Sequence, residues 1–195
     1  MRIAILLFAA GSSSRLGQPK QLLPFRGKTL LDNSIQKCLE SETGEVHLIL
    51  GANHESILEK VKTEGCELHI NPNWQEGMST SIAFGVQQIL DKNYDGSIIS
   101  MADQPFLQKE HLSQLVKTHQ LLQKTIIVSQ YEEGKGPPTF FAKKHFEKLS
   151  KLSGDDGAKA VIKRHLTQVG LASFPKGNID IDRKADLAWL NSFNL

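Results

Sequence analysis

Near the amino terminus the chain reads Ala9-Ala10-Gly11-Ser12-Ser13-Ser14-Arg15-Leu16-Gly17-Gln18-Pro19-Lys20. Ala10 and Gly11 let backbone N–H groups come close to an anion, and Ser12, Ser13 and Ser14 can donate from their hydroxyls. Arg15 and Lys20 add two positive charges. By composition this is a cradle for phosphate. It is not a Walker A loop, because Lys20 does not follow a Gly and no Ser or Thr comes after it; nor does it have G-x-G-x-x-G spacing. A solvated Ser-rich turn has the same composition, so the loop alone leaves both readings open.

Two other places offer carboxylates. In Ser100-Met101-Ala102-Asp103-Gln104-Pro105, Asp103 ends an apolar run where Pro105 turns the chain. It can cap a helix or turn there, or hold Mg²⁺ against a triphosphate. Asn178-Ile179-Asp180-Ile181-Asp182, read as a strand, puts both Asp on one face and both Ile on the other. The histidines are scattered, and His111 and His119 lie too far apart for an i,i+4 metal pair.

These residues need elements to position them. Ile3 to Phe8 is a continuous apolar run ending near Gly11, as expected of a strand buried on both faces of a parallel sheet. Further strands are expected at Val46 to Leu50, Cys66 to Ile70, Ser97 to Ala102 and Thr125 to Ser129. Helical spacing recurs between them, at Leu30 to Leu39, Ile57 to Val61, Ile82 to Leu90 and Leu112 to Leu122. Ser79, Thr80 and Ser81 are placed to cap the third of these helices. Such alternation predicts an α/β fold, a doubly wound and mostly parallel sheet with right-handed crossovers. Ligands of such sheets bind outside the carboxyl ends of the strands, where the Ser-rich loop lies.

The rhythm breaks after Tyr131. Glu132 to Pro138 reads as a polar Gly/Pro turn, followed by a strand-like Thr139 to Ala142 and a helix through Phe146 and Leu149. Ala158, Val161, Ile162 and Leu166 mark another helix. A last strand is expected near Asn178 to Asp182, then a helix carrying Leu187, Leu190 and Phe193. The stretch from about 131 to 157 is expected to be a small insertion over the sheet's edge that receives a second substrate.

Composition excludes several classes. A chain of 195 residues fits one domain, 1–195. Hydrophobic residues at 39% and charged residues at 23% exclude disorder and collagen-like repeats. A net charge of +2 is too balanced to suggest nucleic acid or a membrane surface as partner. Neither Cys38 nor Cys66 has the spacing of a disulfide framework or a structural zinc site. The apolar run after Arg2 leads into a Gly/Ser loop rather than a processing site, and no run approaches membrane length, so a cytoplasmic location is expected.

Together the motifs carry a resemblance. Ala-Ala-Gly-x-Ser-x-Arg-x-Gly-x-x-Lys at 9–20 resembles the signature loop of the MobA-like nucleotidyltransferases, and among them is most similar to molybdenum cofactor cytidylyltransferases. The likeness continues through Leu22-Leu23-Pro24, Asn71-Pro72-x-Trp74-x-x-Gly77-Met78-Ser79-x-Ser81, Ala102-Asp103-Gln104-Pro105, Gly154-Asp155-x-Gly157-Ala158, and Asp180-Ile181-Asp182 with Asp186-Leu187.

This resemblance implies the Rossmann-like fold of nucleotide-diphospho-sugar transferases. It also implies transfer of a nucleoside monophosphate from an NTP to a phosphate monoester, the terminal phosphate of molybdopterin, with release of pyrophosphate. Carried over by position, Ala10, Gly11, Ser12, Ser13 and Ser14 would bind the triphosphate. Arg15 and Lys20 would be catalytic, stabilising phosphate charge, and Asp103 and Asp182 would hold Mg²⁺ or Mn²⁺. Asn71, Gly77 and Ser81 would surround base and ribose. Pro138, Gly154, Asp155, Gly157 and Ala158 would bind the acceptor. Ala9-Ala10 resembles the CTP-using branch, and a molybdoenzyme or its chaperone would be the partner.

Two departures lie on the acceptor side. Gly136-Pro137-Pro138 stands where relatives often read Gly-Asn-Pro, and Lys159 where many have Arg. A sugar or alditol phosphate as acceptor, GTP as donor, and a non-catalytic binding module remain alternatives.

Overall fold

The computed structural model describes residues 1–154, 156–183, 186 and 190. A seven-stranded sheet is built from β1 (Ile3–Ala9), β4 (Glu45–Leu50), β5 (Cys66–Ile70), β6 (Gly96–Met101), β7 (Ile126–Gln130), β8 (Lys135–Ala142) and β9 (Val169–Ser173). Its order is β5-β4-β1-β6-β8-β7-β9, with β2 (Pro24–Phe25) and β3 (Lys28–Thr29) forming a separate small hairpin. All neighbours in the large sheet are parallel except β8, which runs antiparallel to both β6 and β7. The sheet is mostly parallel, as the alternation of elements predicts.

Alternation along β1 divides the core in two. Ile3, Ile5, Leu7 and Ala9 join Leu31 and Ile35 of α1 (Leu30–Glu40) and Leu112 and Leu115 of α4 (Lys109–Leu122) on one face. Ala4, Leu6 and Phe8 meet Ile82 and Val86 of α3 (Met78–Gln87), Phe146 and Leu149 of α5 (Phe146–Leu149) and Val161 of α6 (Lys159–Arg164) on the other. A strand covered on both faces must be apolar at every position, which is why β1 reads as an unbroken run. The helix α2 (His54–Leu58) adds Ile57 to the first face. Helix α1 starts at a capping box in which the Thr29 hydroxyl accepts from the Asp32 N–H at 3.0 Å and the Asp32 carboxylate accepts from the Thr29 N–H.

Three expectations are overturned. The stretch 131–157 is not an edge insertion, because β8 lies inside the sheet between β6 and β7. Phe140 and Phe141 on β8 bury opposite faces, one in each core, as suits an interior strand. Its first half reads as a turn because of Gly136, Pro137 and Pro138. Proline gives no ladder N–H and is tolerated at irregularities, and the β7–β8 register shifts at Val128/Ser129, opposite this end.

The strand expected at Asn178–Asp182 is absent. Pro175–Asn178 is a 3-10 turn, and residues 179–182 are not strand. The strand in that region is β9, where the inward positions are occupied by Gly170 and Ala172, too small to register as a hydrophobic alternation. Finally, Ser79, Thr80 and Ser81 are not caps. Helix α3 begins at Met78, with Gly77 at its N-cap, so the three hydroxyls lie within its first turns. The expected last helix falls largely outside the described residues, with Leu187 and Phe193 among those not described; Leu190 is buried. No helix among the described residues is long and apolar enough to cross a membrane.

Candidate active site

The Ser-rich loop leaves β1 at the carboxyl end of the sheet, and two hydrogen bonds fix its start. The Ala52 N–H donates to the Ala10 carbonyl at 3.0 Å, and the Gln21 amide Nε2 donates to the carbonyls of Ala9 (2.8 Å) and Gly11 (3.0 Å). Gln21 is 2% exposed. It is a positioning residue that sequence reasoning passed over, although its place beside Lys20 in a loop needing internal donors was a signal. Farther along, Leu16 is buried with Leu23, Phe25, Leu30, Ile181 and Leu190, which pins the loop's far side.

The two ends enclose a cleft of about 290 Å³, lined on one side by Ala10, Gly11, Ser12 and Lys20 and on the other by Trp74, Gly77, Met78 and Ser81, with Asp103 at its floor. A Cβ built on Gly11 would meet no atom within 4 Å. Packing therefore does not demand glycine there; the open side leaves the backbone approachable by a ligand. Ser13 does not line the cleft. Its hydroxyl accepts from the Lys20 N–H at 3.0 Å and so shapes the loop that carries Lys20. Ser14 also lies off the lining and is exposed.

On the opposite wall Gly77 adopts φ 100°, ψ −174°. That region is open in practice to glycine alone. The strained turn lets α3 start at the cleft with no side-chain cap, its first-turn N–H groups and positive dipole end directed to this side. Gly77→Ala is expected to cost ~1–3 kcal/mol of stability and to weaken nucleotide binding. Thermal melting together with nucleotide titration checks this, and an unchanged Tm would refute the strain.

Asn71 is placed differently from expectation. It is 1% exposed and lies behind the wall rather than in the lining. Its Nδ2 donates to the Ser81 hydroxyl at 3.1 Å, and its Oδ1 accepts from the Asn73 N–H at 3.0 Å. Asn71 thus braces the loop carrying Trp74 against α3.

Charge concentrates at the cleft floor. Lys20 Nζ lies 2.7 Å from Asp103 Oδ2 and 3.6 Å from Asp182 Oδ1, with its side chain 17% exposed. Burial disfavours the ammonium, but Asp103, Asp182 and Asp180 outweigh that cost and hold Lys20 above the ordinary lysine range. Arg15 is largely exposed and pairs with Asp182 Oδ2 at 2.5 Å instead of lining the cleft. Desolvation pushes the Asp182 carboxyl up, yet the Arg15 hydrogen bond and Lys20 bring it below the usual carboxylate range. Asp180 goes the other way: burial and the neighbouring Asp103 and Asp182 charges raise it. Without a strand, Asp180 and Asp182 reach the site because the buried Ile181 between them donates its N–H to the Asp103 carbonyl at 3.2 Å.

A second, larger cavity of about 610 Å³ adjoins the first and shares Met78, Met101 and Asp103 with it. Gly157 and Ala158 line it, as do Lys135 and Lys159. Gly157 is held there by its N–H, which donates to the Ser79 hydroxyl at 2.9 Å. Pro138 and Gly154 are not in the lining: Pro138 is buried with its carbonyl accepting from Ser129, and Gly154 is exposed. Asp155 lies outside the described residues. Gln104 is a wall residue to which sequence reasoning assigned no role. Its Nε2 donates to the carbonyls of Pro137 (2.9 Å) and Gly177 (2.8 Å), and its buried Oε1 has no hydrogen-bond partner among the described residues.

Known proteins resemble this chain over most of its length. The chain is 29% identical over 185 residues to the purine catabolism protein PucB of Bacillus subtilis (strain 168), covering 91% of this chain and 88% of that one. It is 33% identical over 115 residues to nicotine blue oxidoreductase of Paenarthrobacter nicotinovorans, 58% of this chain and 55% of the other. To the molybdenum cofactor cytidylyltransferase of Escherichia coli (strain K12) it is 32% identical over 88 residues, 45% of each. The crystal structure of Rv0371c from Mycobacterium tuberculosis H37Rv superposes with a TM-score of 0.86 at 25% identity, covering 97% of this chain and 96% of that one. The same protein has been solved in complex with manganese, with a TM-score of 0.80 at 21% identity over 96% of each chain. The model of the MobA-like NTP transferase domain matches residues 5–169, a span that includes the loop, the cleft and most of the second cavity, and the chain therefore belongs to that family.

Proposed function

We propose that the protein transfers CMP from CTP to the terminal phosphate of a molybdopterin-type acceptor and releases pyrophosphate. The observation that carries this reading is the junction of the two cavities at Asp103, with Lys20 beside it. A nucleotide in the smaller cleft and an acceptor in the larger one would present their phosphates to each other at that point. The smaller cleft is lined from residues 8–103, which supports a nucleotide-binding part over 1–105. The larger one draws on residues 78–180, so the acceptor part over about 106–182 borrows α3 and β6.

In this reaction an acceptor phosphate oxygen attacks the α-phosphorus, and the bond to the β-phosphate oxygen breaks in line. Such transfers need positioning and charge neutralisation more than covalent help. Gly11 and Ser12 would bind the triphosphate, and Lys20 would pass from its carboxylates to phosphate oxygens. Arg15 would stay on Asp182 or swing to the pyrophosphate. Lys159 and Lys135 supply positive charge on the acceptor side.

The residues also fit a divalent cation. Asp103 and Asp182 both contact the Lys20 ammonium and are hard oxygen donors, and burial together with the charges of Asp103 and Asp182 raises the nearby Asp180 carboxyl. Asp103 and Asp182 would hold the ion, Mg²⁺ or Mn²⁺, which supplies neutralisation of the triphosphate charge when bound.

Ala10 lines the cleft, and its methyl group would crowd a purine donor more than a pyrimidine. CTP is expected to bind roughly 10- to 200-fold tighter than GTP, a difference of ~1–3 kcal/mol. Calorimetry with both nucleotides checks this, and equal affinities would move the donor to GTP. The acceptor is tested by pyrophosphate release across NTPs paired with molybdopterin-type, sugar and alditol phosphates. Turnover with an alditol phosphate but not with molybdopterin would overturn the acceptor assignment and keep the transferase.

A further inference from the structure

A second cluster of ligating side chains lies away from the cleft, near the amino ends of β4 and β6. His47 on β4 and Glu67 and His69 on the adjacent β5 point to the same face of the sheet, and one ligand atom from each falls within 4.8 Å of the others. We propose that these three side chains form a site for a divalent ion of the zinc class, which clamps the edge strand β5 to the sheet.

The spacing suits such an ion. His47 Nδ1 is 3.1 Å from His69 Nε2 and 3.6 Å from Glu67 Oε2. A tetrahedral ion with bonds of about 2.0–2.1 Å separates its ligands by about 3.3 Å. Two imidazoles are borderline donors that favour zinc over magnesium, and the carboxylate adds one oxygen of the kind zinc also accepts. Water would complete the coordination.

The surroundings orient the ligands. His47 is 1% exposed, and its Nε2 lies 2.9 Å from the Tyr94 hydroxyl. That hydroxyl donates its single proton to Glu45 Oε2 at 2.7 Å, and Arg2 holds Glu45 through both of its carboxylate oxygens. Tyr94 must therefore accept from His47 Nε2–H, which leaves the Nδ1 lone pair of a neutral His47 aimed at the cluster. A ligating histidine whose other nitrogen is held by a partner of this kind is the usual arrangement around a metal. On the carboxylate, Lys92 takes Oε1 at 2.5 Å, and Oε2 stays directed to His47. His69 joins by carrying its proton on Nδ1 instead of donating it from Nε2 to His47.

The clamp would act where the fold is thinnest. Glu67, Leu68 and Ile70 of β5 are exposed, so this strand buries little and depends on its ladder to β4. Immediately after it come Asn71 and the loop that forms one wall of the cleft.

The test uses the whole chain, stripped with a chelator and titrated with Co²⁺ and Zn²⁺. Co²⁺ is expected to develop the intense visible bands of a four-coordinate ion. Zn²⁺ at a hundredfold excess over its Kd is expected to raise Tm by about 5–10 °C, with no competition from Mg²⁺. His69→Ala and Glu67→Gln, both on the exposed strand, should each lose the bands and weaken Zn²⁺ binding at least tenfold, while Asp103→Asn keeps both signals. A chain showing neither bands nor a Tm shift overturns the site, as do bands that survive in both β5 variants or vanish in Asp103→Asn.

Discussion

Lys20→Ala is expected to lower kcat by roughly 10²–10³-fold, a loss of ~3–4 kcal/mol comparable to removing an oxyanion-hole donor. The ammonium starts 2.7 Å from Asp103, at the junction of the two cavities, and is mostly shielded from water. Charge on the departing pyrophosphate grows as the reaction proceeds, and a fixed cation in a partly dry site strengthens its grip as it grows. Binding of CTP before reaction should suffer much less. The fold should survive, because the loop is tied by Gln21, by Ser13 to the Lys20 backbone and by Leu16, none of which needs the ammonium. Single-turnover rates decide: an intact chemical step with only weaker CTP binding would assign Lys20 to uniform binding.

Asp103→Asn is expected to reduce turnover by at least ~10³-fold, about 4 kcal/mol, with a near-wild-type Tm. The substitution keeps the side chain's size and removes the charge that pairs with Lys20 and that would hold the divalent ion. The structural duty of this position lies elsewhere, since it is the Asp103 backbone carbonyl that accepts from Ile181 and anchors the Asp180–Asp182 segment. Activity and stability should therefore separate. Normal turnover with a sharply lower Tm would make Asp103 a structural residue. Asp182→Asn should lose less, because Asp180 stands nearby and Arg15 is exposed to solvent.

How far the chain could be read from its residues depended on where each signal was stored. Strands β1, β4, β6 and β7 were legible because each has neighbouring buried aliphatic residues, and β5 because Leu68 and Ile70 alternate with Glu67 and His69. The Ser-rich loop was legible because its chemistry is contiguous. β8 was not, because two prolines and a glycine precede its two buried phenylalanines and mimic a turn. β9 was hidden because its inward side chains are Gly170 and Ala172. Asn71 and Ser13 read as ligand contacts, yet Asn71 spends its amide on Ser81 of α3 and on Asn73, and Ser13 its hydroxyl on Lys20 and Gln21, and nothing local distinguishes an amide that binds a base from one that braces a wall.

The α/β class and the phosphate-type loop at the end of the first strand were legible in the residues themselves, whereas Lys20, Asp103 and Asp182 were singled out as a set by the family resemblance of the motifs that hold them. The first two are matters of residue type and near-neighbour spacing. Tertiary structure alone decided that Lys20 sits between carboxylates drawn from positions far along the chain, that Arg15 turns outward to Asp182, and that two cavities meet at Asp103. It also decided that His47, Glu67 and His69 share a face. These facts depend on sheet order, strand register and the buried anchor Ile181. They are set by packing between distant segments, which no local spacing encodes.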